Sequence, residues 1–118
     1  MISRFYEALE ARDWSALEDL LDVDVVYEVP QTRERVLGRG AYVHFNREYP
    51  GDWHLEVRAV HEDASGGAAE VYFCVDGHEL TNVALFRFTE AGLIGSVRDF
   101  WPESYEPPEG REHLVERY

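Results

Sequence analysis

The stretch "LIGSVRDFWPESY", Leu93 to Tyr105, holds an acid, Asp99, between Arg98 and the aromatic residues Phe100, Trp101 and Tyr105. Strand alternation puts Val97, Asp99 and Trp101 on one face and Arg98 and Phe100 on the other. If the first face is concave, Asp99 is partly desolvated among apolar neighbours, which raises its pKa toward values useful for acid–base work. If that face meets water, or if an arginine such as Arg98 or Arg58 pairs with it, Asp99 is a structural ion-pair partner instead.

Cys74, Asp76 and His78 make a second cluster. On an unbroken strand they share a face and could hold a metal, but Asp76-Gly77 reads as a hairpin turn that breaks the alignment. The other histidines, His44, His54, His61 and His113, show no metal spacing. His78, near the hairpin, is either a group at a pocket rim or simply exposed. Cys74 is the one cysteine, so no intrachain disulfide forms. The expectation is no metal and no cofactor.

Charge narrows the partners. Aspartate and glutamate number 24 against 11 lysines and arginines, a formal net charge of −13, which repels nucleic acid and anionic lipid. No apolar run approaches a membrane span, and "MISRFYEALEARD" carries acids where a signal peptide is apolar. The expected location is the cytoplasm.

The elements that must position these groups follow from periodicity. Ile2, Phe5 and Leu9 share a helical face with Tyr6 beside them, and Asp13 is an N-cap for a second helix whose apolar face is Trp14, Leu17, Leu20 and Leu21. "VDVVYEVP" has strand character ended by Pro30, and "QTRERVLGRG" reads as a polar loop. A third helix over roughly Gly40 to Tyr49 aligns Tyr42, Phe45 and Tyr49. From Trp53 the chain reads as four antiparallel strands, beginning with Trp53, Leu55, Val57 and Ala59 on one side. Turns fall at "ASGG", "DGHE" and Glu90-Ala91-Gly92. A Pro-rich tail starts at about residue 102. The expectation is one α+β domain over 1–118, its curved antiparallel sheet packed on three N-terminal helices.

This order, with "SRFYEALEARDWSALEDLL", "GRGAYVHF", "EVRAV", "ALFRFTEAGLI" and "VRDFW", resembles the nuclear transport factor 2-like superfamily, and within it the SnoaL-like proteins. The resemblance implies a cone-shaped, barrel-like sheet of the cystatin-like type with an interior pocket, into which Val97, Asp99 and Trp101 point. Related ketosteroid isomerases use a tyrosine on the first helix, an aspartate base before the proline ending the first strand, and a protonated aspartate before "HFRF". Those positions fall here on Phe5, Val29 and Ala84, all apolar, so ketosteroid isomerisation is not expected. The epoxide hydrolase branch has an acid in an "RDY" context like Asp99. Its Arg-x-Asp corresponds here to Cys74-Val75-Asp76, which lacks the arginine.

The expected site is therefore Asp99 as acid–base group, in a pocket lined by Tyr27, Tyr49, Trp53, Asn82, Phe86, Val97 and Trp101. Tyr27, Tyr49 and Asn82 supply hydrogen bonds, and a small apolar organic molecule is the ligand. Cofactor-independent cyclase, isomerase, dehydratase or hydrolase chemistry is one reading. A non-catalytic ligand-binding or dimerisation module of the same fold is the other. Tyr72 and Phe100, with apolar residues on both strand faces, point to a homodimer through the outer sheet face.

Overall fold

A computed structural model describes residues 1–118. Two helices, α1 (Ile2–Ala11) and α2 (Trp14–Leu20), lead into the hairpin β1 (Leu21–Val29) and β2 (Glu34–Leu37). After α3 (Arg39–Arg47) come β3 (Trp53–Glu62), β4 (Gly66–Val75), β5 (His78–Phe88) and β6 (Ile94–Phe100). Beyond β6 the chain is irregular and mostly exposed, apart from a 3-10 turn at Glu112–Leu114. No helix is long and apolar enough to cross a membrane.

The helices pack on one curved six-stranded sheet of order β2-β1-β6-β5-β4-β3. The stretch from β3 to β6 is an antiparallel meander, as expected. Two features differ from expectation. The last strand returns to pair with β1 in parallel, so the sheet is mixed. It also stays open, with β2 and β3 as free edges, and does not close into a barrel.

The "polar loop" contains β2. Val29 pairs with Glu34 and Val26 with Leu37, across a turn in which Arg33 takes a left-handed φ of 61°. An edge strand with Glu34, Arg35 and Leu37 exposed buries almost nothing, so it shows no apolar alternation to read. Another departure lies in β3. Its register with β4 slips between Val57 and Ala59, and a bulge hands the buried side from Val57 to Val60 rather than Ala59.

Local chemistry explains the helices. Ile2, Phe5, Tyr6 and Leu9 bury one face of α1, which ends at Arg12 in a left-handed conformation of φ 58°. The Asp13 side chain then caps α2 by accepting from the Ala16 amide at 3.1 Å. α3 stops at Arg47, so Tyr49 lies just past its end rather than on it. The largest fully buried side chains are Ile2, Phe5 and Leu17 from the helices and Leu21, Val25, Val71, Ile94 and Val97 from the sheet. Burying each stabilises the fold by about 1.5–3 kcal/mol.

Candidate functional site

The Tyr27 hydroxyl donates to Asp99 Oδ2 at 2.6 Å. Strand register makes this contact possible. Tyr27 lies directly beside Val97 in the parallel β1–β6 pair, and Asp99 is the next residue of β6 on that face. Neither arginine considered for Asp99 reaches it. Arg98 turns to the other face, its Nε 3.8 Å from Glu28, and Arg58 lies over the Tyr72 ring at 5.0 Å. The carboxylate therefore has a hydroxyl for a partner and no ion pair. Burial pushes its pKa up, and the Tyr27 hydrogen bond and then the nearby Asn82 amide pull it partway back, to about 6. Asn82 is buried, and its amide donates to the Phe100 carbonyl at 3.2 Å.

Asp99 stands in the wall of a cavity of about 60 Å³ between the sheet and α1 and α3. Aromatic rings form a nearly continuous belt around it. From Trp101, centroid distances run 5.2 Å to Phe73, 6.3 Å on to Tyr49, 5.6 Å to Phe45, 5.3 Å to Tyr27 and 4.8 Å to Tyr42. Trp101 lies past the end of β6, where the Gln31 side chain brackets its backbone. The Gln31 amide nitrogen donates to the Trp101 carbonyl at 3.1 Å, and the Gln31 oxygen accepts from the Trp101 N–H. A polar loop residue thereby fixes a pocket wall.

Of the residues expected in the pocket, Tyr27, Tyr49, Trp53, Asn82, Asp99 and Trp101 line this cavity. Tyr49, 38% exposed, sits at its mouth. Phe86 and Val97 are on the same sheet face but one layer deeper. They pair with each other across β5 and β6, and Phe5 closes over them with its ring edge-to-face on Phe86 at 5.1 Å. They belong to the core.

Sequence reasoning passed over Tyr6. It is only 5% exposed, and its hydroxyl is buried on the cavity wall with no hydrogen-bond partner. Burial, and then the nearby Asp99 charge, drive its ionisation far up, so it remains a neutral donor and acceptor. The available signal was its spacing: Tyr6 is one turn from both Ile2 and Leu9 and so shares their buried side.

The second cluster disperses. Asp76 and Gly77 both take positive φ, 49° and 84°, as a two-residue hairpin turn demands. The Asp76 carboxylate is committed to the Asp52 amide at 2.9 Å, where it ties the start of β3 to that hairpin.

The SnoaL-like domain family matches residues 2–97. This chain belongs to that family. A crystal structure from Kribbella flavida, provisionally described as that of a ketosteroid isomerase, is 44% identical to this SnoaL-like chain, with a TM-score of 0.91 over 99% of this chain and 86% of that one. An NTF2-like protein of unknown function from Burkholderia xenovorans is 24% identical, with a TM-score of 0.81 over 99% and 91% of the two chains. A Catenulispora acidiphila protein with a ketosteroid isomerase-like fold, solved with trimethylamine, is 16% identical and gives 0.70 over 83% and 82%. No curated protein matches the chain.

Proposed function

We propose that this SnoaL-like protein takes a small organic molecule into the aromatic cavity and that Asp99 removes a proton from it, without a cofactor. One observation carries the reading: a carboxylate with a pKa near 6 faces an apolar cavity and has no cationic partner. Such a group is ionised at neutral pH yet about two units more basic than an ordinary aspartate, which suits a general base. Tyr27 holds its orientation. The reaction class is proton transfer, as in an isomerase, cyclase, dehydratase or hydrolase.

The size of the cavity argues for a compact substrate. At about 60 Å³ it is far below the roughly 300–1,000 Å³ of sites for drug-sized ligands. The trimethylamine bound to the Catenulispora protein supports a ligand of that scale. Steroid isomerisation is not the reaction assigned, since Phe5, Val29 and Ala84 put buried apolar groups where that chemistry needs polar ones.

The test is deuterium exchange. Small carbonyl compounds incubated with the protein in D2O should exchange protons beside the carbonyl, and Asp99→Asn should slow this by about 100-fold or more. Exchange that Asp99→Asn leaves unchanged sinks the assignment. Binding without any exchange leaves the non-catalytic module. The outer sheet face, where Val83 and Leu85 are joined by Tyr72 and Phe100, is assigned to a homodimer. Light scattering that shows only monomer at micromolar concentration would contradict that.

A further inference from the structure

The cavity wall is chemically one-sided. It carries one carboxylate, Asp99, a belt of aromatic rings, and no lysine, arginine or histidine. Ring faces are electron-rich and attract cations. Tyr27 hydrogen-bonds to the carboxylate and the Asn82 amide lies near it, but neither neutralises it. Arg12 is the guanidinium that touches a cavity ring, 3.3 Å from the Trp53 centroid. It is already held by the carbonyls of Leu9, Glu10 and Trp53. The net charge of −13 adds a field of the same sign around the whole molecule.

We infer that the occupant of this cavity is a small organic cation of the alkylammonium class, its charge facing Asp99 and its alkyl groups lying on the rings. The inference rests on the cavity reading above and narrows the expected apolar ligand to one bearing positive charge. An anion of the same size meets repulsion from both the carboxylate and the ring faces. The cation need not touch the carboxylate, because a charge elsewhere in so small a space still interacts strongly with it through a medium of low polarity. One oxygen of Asp99 therefore stays available for a proton. The unpartnered Tyr6 hydroxyl offers a further polar contact on the same wall, accepting from an N–H or donating to an oxygen of the ligand.

Tetramethylammonium and tert-butanol, a cation and a neutral molecule of similar shape, separate the possibilities. Each is titrated into the full chain while the indole N–H resonances of Trp53 and Trp101 are followed by NMR. Tetramethylammonium should bind more tightly than tert-butanol, and Asp99→Asn should weaken the cation by about tenfold or more while leaving the alcohol unaffected. Trp101→Leu, which keeps the carboxylate, should also weaken the cation selectively. Equal binding of the two probes, or cation affinity unchanged in both variants, overturns the inference and leaves the small-molecule cavity standing. If neither probe moves the indole signals, the inference and the cavity reading fall together.

Discussion

Ala84 of β5 and Asp99 of β6 stand directly opposite one another in the antiparallel ladder. Paired residues project to the same face with Cβ atoms about 4.5–5.5 Å apart. The position that resembles the protonated acid of ketosteroid isomerases thus holds a fully buried methyl group, and a carboxylate faces the same interior from the neighbouring strand. Its hydrogen-bond donor, Tyr27, comes from β1. Burial raises the pKa of this carboxylate to about 6, and under the proposed reading it receives a proton at neutral pH rather than donating one.

Stability should reveal the strain of that carboxylate. The folded pKa of Asp99, about 6, lies above its ordinary value of 3.8. Its favourable contribution is therefore complete below pH 3.8 and is lost as pH rises through about 6. Asp99→Asn is neutral throughout. The stability of the variant relative to the parent should rise between pH 4 and pH 8, by up to about 3 kcal/mol. Urea melts at the two pH values measure this. A difference that stays flat, or that falls with pH, would show a well-paired structural carboxylate.

Tyr27→Phe removes the hydroxyl while keeping the ring. The lost bond is to an ionised acceptor at pH 8 and to a largely neutral one at pH 4.5. Destabilisation of about 1.5–3 kcal/mol is expected at pH 8, and distinctly less at pH 4.5. Equal losses at both would mean that the bond does not depend on the ionisation of Asp99.

Tyr6→Phe deletes a buried hydroxyl that has no partner. Leaving such a group unsatisfied costs about 1–3 kcal/mol, so the variant should melt higher than the parent when empty. If the hydroxyl serves a ligand, the same substitution should weaken binding of an amine or carbonyl compound. A lower melting temperature would instead reveal a partner for Tyr6 in the folded protein.

The parts of the fold that bury apolar surface were legible, because burial leaves a period in the sequence. The faces of α1 and α2, the Asp13 cap and the β3–β6 meander all carry that mark. β2 does not, since an edge strand exposing Glu34, Arg35 and Leu37 has no buried side to write a pattern. The Val57–Ala59 bulge was equally silent, because register is decided by pairing between strands. Asp99 stood out as an acid between Val97 and Trp101, yet its partner is distant in sequence and depends on the parallel return of β6 to β1. Depth was the other hidden quantity. Alternation separates the two faces of a strand, but what covers each point on a face depends on the helices, so Phe86 and Val97 could not be told from Asn82 and Trp101.

The ionisation of Asp99 tests the proposed site most directly. A carbon-13 NMR titration of its side-chain carboxyl, assigned by comparison with Asp99→Asn, should give a midpoint near 6. A midpoint at or below 3.8, the ordinary value, would mean that water or a cation reaches the carboxylate and would contradict its role as a desolvated base.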